Sequence, residues 1–448
     1  MEVGTRKLLD RSFTSVGFLA IILMAVSLVI LLQPIIIRGG KAFVFKGTVE
    51  YRKLMREQFG RGNVEELSMD LEEARLARKP VYDLLDAFEN EMKEQDSSFR
   101  RQYRADFREL KELLEELLGP REGERRRALI RKQYGQTRHD RSLVKLRHVI
   151  YIEGYDYSDT SGMGVKVETP RAELFTGTSL EPLFGILETD IGKMMKPKLT
   201  VYWRFLFDKS IDAHFFGGIW PEMLGTFYLA FGAMLFAIPL GIITAIYLAE
   251  YAGTGRFVSL IRICISSLAG VPSVVFGLFG LAFFINTVHI SSSKSVLVGA
   301  MTLALLILPT IIRASEEAIL AVPHGFREAS MSLGAGKWHT IVRVVLPAAL
   351  PGILTSTIIS LGRAAGETAP IIFTAAVSVG KPLSLFQTFS QPTPALPWNI
   401  YNLATEHEAV DEIRHVQYGM VFTLVMMVFL LNLAAIILRA RVSKRLRG

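Results

Sequence analysis

In the stretch LGRAAGETAP, residues 361–370, an arginine and a glutamate lie four positions apart, in surroundings from Leu346 to Val379 that are otherwise almost wholly apolar or small. A charge at the centre of a bilayer costs about 2.5–3.5 kcal/mol on insertion scales, so such residues face a cavity or a partner. The spacing puts Arg363 and Glu367 one turn apart on one helix face, where they can pair. Gly362, Ala364, Ala365 and Gly366 leave room for close helix packing, or for a loosened backbone beside a path. A closed pair holds the arginine without an unmatched charge. An open pair frees a guanidinium whose forked donors suit an oxyanion.

The elements that must position this pair are membrane spans. Half of the 448 residues are hydrophobic, the mean hydropathy is +0.31, and the apolar residues are bunched into long runs. Six runs approach or exceed the ~20 residues that a spanning helix needs: about 15–37, 222–248, 262–286, 295–313, 346–378 and 417–438. The first is an anchor and not a cleaved signal, because its core is too long and no small-residue cleavage site follows before Gln33-Pro34. The net charge of +8 does not point to nucleic acid, because the basic residues gather at the ends of apolar runs. Arg6, Lys7 and Arg11, then Arg256 and Arg262, then Arg327, Lys337 and Arg343, then the five basic residues from Arg439 to Arg447, all fall on one side if both termini are cytoplasmic. The short loops of the other side hold only Lys294, Lys381 and Arg414. The single cysteine, Cys264, excludes an intrachain disulfide.

Residues 41–215 form an extracytoplasmic insertion with its own pattern. Val81, Leu84, Leu85, Phe88 and Met92 recur at helical spacing, as do Phe99, Tyr103, Phe107, Leu110, Leu114 and Leu117, before Gly119-Pro120 stops the run. After a basic stretch from Arg125 to Arg141, SLVKLRHVIYIEGYDYSD reads as a strand ending in a turn, and LTVYWRFLF at 199–207 as a strand or an amphipathic surface segment. EHEAVDEIRH at 406–415 holds two histidines and several carboxylates, but with Asp411 it lacks H-E-x-x-H and reads as a solvated loop, with no metal site. Pro239, Pro272 and Pro309 lie within apolar runs, where they can kink helices and free carbonyls.

The loop between spans four and five predicts a short helix around Phe326 to Leu333, a glycine turn at 334–336, and a second helix leading into Leu346-Pro347. Its GAGKW is no phosphate cradle, since G-x-x-x-x-G-K-[ST] is broken by Met331 and Trp338. No cofactor is expected on this chain. Glu328-Ala329-Ser330, Gly334, then Val344-x-Leu346-Pro347 resembles the EAA loop of ABC-importer permeases, with Ser330 for the second alanine and Val344 for isoleucine. The resemblance implies docking of this loop, through Glu328, Ala329, Gly334, Leu346 and Pro347, onto a cytoplasmic ATPase.

GRAAGETAPIIFTA is similar to the R-A-x-G-E-T-A-P segment of phosphate-transporter permeases of the PstA type. IPLGIITAIYLAEYA, LAGVPSVVFGLFGL and LPTIIRASEEAILAVP carry the same likeness. It covers about residues 216–448 and not the insertion, where that family has a much shorter loop. It implies an all-α polytopic membrane protein with the six transmembrane helices of the type I importer permease fold, here carrying an α+β insertion. The implied work is non-catalytic: import of inorganic phosphate, with Arg363, Glu367 and Arg313 on or near the anion path. For Arg313, at the end of span four, a snorkelling anchor stands slightly ahead of a role in that path. The implied partners are a PstC-like permease, a PstB-like ATPase dimer, a PstS-like phosphate-binding protein and membrane lipid. A permease for sulfate or molybdate, or a membrane sensor or scaffold with an external domain, remain the alternatives.

Overall fold

The computed structural model describes residues 3–119, 136–156, 165–253, 255–407 and 410–446. It is mostly helical with small two-stranded sheets. Helix α1 (Val3–Phe43) has no buried residue in its most apolar stretch. So large an exposed apolar surface needs hydrocarbon or a partner to cover it. The chain then divides into two compact units.

One unit comprises Lys41–Trp203 and His214–Phe216. Strand β1 (Val44–Gly47) leads into α2 (Val49–Phe59), α3 (Val64–Glu94) and α4 (Ser97–Leu118). Asp96 breaks the run between α3 and α4 and caps the second helix by accepting from the Ser97 N–H at 2.6 Å. Phe88, fully buried, sits among the rings of Phe99, Tyr103, Phe107 and Phe175. The predicted pair of amphipathic helices is therefore present, and its apolar stripes face each other. Next come α5 (His139–Ile150), β2 (Tyr151–Asp156), β3 (Val165–Pro170), α6 (Glu181–Met195) and β4 (Lys198–Val201). The pairings are β1 with β4 and β2 with β3, both antiparallel.

One reading of this unit needs correction and another holds only in part. The strand expected from Ser142 onward starts only at Tyr151, because Ser142, Leu146, Val149 and Ile150 bury one helical face of α5. LTVYWRFLF is a strand only to Val201; a 3-10 turn takes over at Trp203–Leu206. Most of the basic stretch from Arg125 lies outside the described residues. Within the unit, Arg78 and Glu50, both nearly buried, pair at 3.1 Å, and Arg78 also donates to the carbonyls of Met194 and Leu118. One guanidinium thus ties α2, α3, α4 and α6 together, and the carbonyl bonds satisfy donors that burial would otherwise penalise.

The other unit holds most of α1 and the chain from Gly217 onward. Its elements are α7 (Trp220–Ile246), ending in a π turn at Tyr247–Tyr251, then α8 (Arg256–Leu268), α9 (Ser273–Gly280) and α10 (Val296–Leu320). They are followed by α11 (His324–Ser332), α12 (Lys337–Thr340), α13 (Leu346–Gly366), α14 (Ala369–Thr374), α15 (Leu396–Thr405) and α16 (Val410–Leu446). Among the described residues five helices are long and apolar enough to cross a membrane, and six segments qualify if one bent pair counts as a span. That pair corrects the reading of 262–286 as one straight span: α8 and the helix from Ser273 to Thr287 meet at 101°. Pro272, at the N-cap of α9, cannot donate to a preceding turn and marks the break. Pro239 and Pro309, by contrast, lie inside continuous helices.

Helices α7 and α10 pack closely because small residues line their seam. A Cβ on Gly232 would come within 2.8 Å of the Ala300 Cβ, and one on Gly241 within 2.6 Å of Ile311 Cγ2.

Candidate functional site

Helix α13 does not run on to residue 378 as one span. It stops at Gly366, and Glu367 is extended (φ −73°, ψ 133°). The cause lies ahead: Pro370 has no N–H to return to the Gly366 carbonyl, and it sits instead in the first turn of α14. Arg363 therefore occupies the last turn of a helix and Glu367 the first residue beyond it. The two meet as expected, Arg363 Nε donating to Glu367 Oε1 at 3.2 Å. The arginine side chain is 43% exposed and the glutamate 19%. Thr226 of α7, Ala364, Ala365, Glu367, Ile371 of α14 and Ala395 surround a crevice too narrow for a water molecule. Here Glu367 faces a closed seam and Arg363 the open side.

Arg313 lies elsewhere. Helix α10 continues two turns past it to Leu320, so Arg313 is not the end of its helix. Its Nε donates to Ser266 Oγ at 3.1 Å, and its Nη1 lies 3.8 Å from Glu316 Oε2. Arg262 holds the same carboxylate more tightly, Nε to Glu316 Oε1 at 2.8 Å. Two arginines thus share one buried carboxylate on α10, which leaves an excess positive charge. Among the described residues no hydrogen bond or ion pair joins this cluster to Arg363. In the sequence Arg262 stands out only as a topological charge, and Glu316 does not stand out at all. The i, i+3 spacing of Arg313 and Glu316 was the available signal.

Helix α11 has no buried residue. Glu328, Ala329 and Gly334 are exposed, as are Phe326, Met331, Leu333 and Trp338. The glycine turn is where the sequence placed it: Gly334 takes φ +86°, and its N–H donates to the Met331 carbonyl at 2.9 Å, a left-handed cap that glycine adopts without strain. Ser330 and Thr340 hydroxyls lie 2.9 Å apart and hold α11 against α12. Leu346 packs against a core of Ile319, Val345 and Ala349; it and Pro347 are half-buried in the first turn of α13, behind the exposed knob.

Residues 237–448 match the model of a family described as the binding-protein-dependent transport system inner membrane component. The phosphate transport system permease protein PstA 1 of Mycobacterium tuberculosis is 38% identical over 247 residues, which cover 55% of this chain and 77% of that protein. The chain belongs to this family of ABC-importer permeases. The permease's likeness extends to the probable ABC transporter permease protein YqgI of Bacillus subtilis, 34% identical over 54% of this chain and 85% of that protein, and to PstA of Mycobacterium leprae, 36% identical over 55% and 79%. The solved MetNI methionine ABC transporter, inward facing, overlaps 50% of the permease chain and 94% of its own at TM-score 0.39 and 20% identity. The permease is a multi-pass inner-membrane component, and the family match contains Arg363, Glu367, Arg313 and the α11 loop. Among the described residues no cluster of histidine, cysteine and carboxylate is placed to hold a metal; Glu408 and Ala409 of the 406–415 segment lie outside them.

Proposed function

We propose that this permease subunit carries inorganic phosphate inward, driven by ATP hydrolysed on a separate ATPase dimer, with a second permease and an external phosphate-binding protein completing the complex. The observation that carries the reading is the Arg363–Glu367 pair at the broken end of α13. The arginine is held ready by a carboxylate and is open on one side, so an anion can replace that carboxylate at small cost. The exposed α11 knob, with Glu328, Ala329 and Gly334 outward, is the ATPase dock. The chain itself binds no nucleotide, and its Gly-Lys lies outside any phosphate loop. Both termini are cytoplasmic, which puts the unit that begins at Lys41 on the outer face. A cysteine at Ser97 labelled only from the cytoplasmic side would overturn that orientation.

The substrate is tested by reconstituting the complex in proteoliposomes and measuring uptake of radiolabelled phosphate, sulfate and molybdate. Phosphate uptake dependent on ATP and on the binding protein is expected. Uptake of sulfate or molybdate in its place refutes the phosphate reading, and ATP-independent uptake of any of the three refutes the importer.

A further inference from the structure

Three cations from three different elements converge on the five-residue π turn that ends α7. Arg327 of α11 donates to Glu250 Oε1 through Nε at 3.0 Å and through Nη2 at 2.8 Å. The same guanidinium reaches back to the end of α10, Nη1 to the Val322 carbonyl at 2.7 Å and Nη2 to the Ile319 carbonyl at 2.9 Å. Lys337 of α12 places its Nζ 4.7 Å from the centre of the Tyr251 ring. Arg262 of α8 donates Nη2 to the Leu248 carbonyl at 2.9 Å, while its Nε holds Glu316. The side chains of Arg327 and Glu250 are only 11% and 10% exposed. Glu328, the next residue, points outward, so α11 carries one charged side chain toward the permease body and the next toward solvent.

A surface ion pair of this sort is ordinarily worth little. This one is nearly buried, brings two guanidinium nitrogens onto one carboxylate oxygen and adds two carbonyl bonds, so its geometry is held from several directions. The turn it grips is a π turn, a rare conformation that recurs at functional sites. A turn with an alternative α register has two discrete arrangements, which is the physical requirement for passing movement from one element to another.

We propose that the π turn Tyr247–Tyr251 is the joint that delivers movement of the docking loop to α8, and that Arg327, acting through Glu250, is the positioning residue that keeps loop and joint together. The proposal rests on the transport reading above and deepens it. When an ATPase shifts α11, Arg327 pulls Glu250; the turn changes register; the Leu248 carbonyl moves, and with it Arg262 and α8. Without the pair the loop still docks, because its outward residues are intact, but the movement is lost at the first step.

The test uses the complete complex in proteoliposomes, wild type against Glu250→Gln, with two readouts. The first is ATP hydrolysed per phosphate imported. The second needs no substrate: Cys264, the chain's single cysteine, is exposed on α8 two residues from Arg262. Its labelling rate, with partner cysteines removed, is compared between nucleotide-free and ATP-vanadate-trapped complex. In wild type that rate changes with nucleotide. In Glu250→Gln the ATPase still co-purifies, ATP consumed per phosphate rises roughly tenfold, as coupling energies of this class allow, and the Cys264 response disappears. Wild-type stoichiometry together with a wild-type Cys264 response in Glu250→Gln overturns the joint. If that variant does not assemble, Arg327→Lys keeps the charge but loses the fork. It is expected to fall between the two, and a wild-type result overturns the proposal equally. Should the wild-type complex import no phosphate, the substrate reading fails, and the Cys264 response alone decides the joint.

Discussion

Replacing Arg363 and Glu367 together with glutamine separates a structural fastener from an anion-path residue. The pair has one direct bond at 3.2 Å, and its arginine is 43% exposed. A partly solvated pair of this kind is worth about 0–1 kcal/mol, and removing both partners leaves no charge uncompensated. The double variant should therefore insert, assemble and melt close to wild type. The arginine's contact with a passing anion is a different quantity: hydrogen bonds to charged groups contribute about 1.5–3 kcal/mol. At about 1.4 kcal/mol per factor of ten, that corresponds to a fall in uptake of roughly 10- to 150-fold. The assay is initial-rate uptake of labelled phosphate by proteoliposomes in which assembled complex has been quantified. The single change Glu367→Gln should be milder, because it leaves Arg363 charged and open. Wild-type uptake by the assembled double variant would refute the anion-path role and leave the pair as a tie across the end of α13.

Gly334→Ala places a side chain at φ +86°, where nothing lies within 4 Å to clash, so its effect is backbone strain alone, about 1–2 kcal/mol. ATPase co-purification should weaken, and Gly334→Asn, better tolerated in the left-handed region, should weaken it less; equal retention in both removes the turn from the docking argument. In the unit beginning at Lys41, burial opposes ionisation of Asp70, but the hydrogen bond from Lys198 and the charges of Arg52 and Lys198 outweigh it and hold the carboxyl below its ordinary range. A depressed folded pKa means that stabilisation is complete above the unfolded value and is lost as pH falls through the folded one. Asp70→Asn should then loosen this unit at neutral pH and differ less from wild type below about pH 4. Hydrogen exchange of the α3 and β4 amides in the full chain, compared across pH, checks this, and an equal difference at both pH values contradicts it.

What the sequence determined by itself was local or one-dimensional. Apolar runs announced the spans because a bilayer demands ~20 apolar residues in succession. Arg363 and Glu367 announced themselves because charge inside such a run is costly, and their spacing brought them together even though the helix ends between them. Gly334 was legible because only glycine enters the left-handed region freely. The two amphipathic helices around Phe88 and Phe107 were legible for the same kind of reason, since a 3.6-residue period survives in any context. Tertiary structure decided the rest. Hydropathy measures how much apolar chain there is and not its direction, so the 101° bend between α8 and α9 left no trace in the run from 262 to 286 beyond Pro272. Ser142 to Ile150 carried β-branched residues and still became helix, because burying one face of α5 outweighs weak propensity. Arg262, Glu316, Glu250 and Arg327 were scattered over some 80 positions as unrelated charges. Their meanings depend on pairings between distant residues, which folding sets through three-dimensional distance and burial, and neither is written along a single chain.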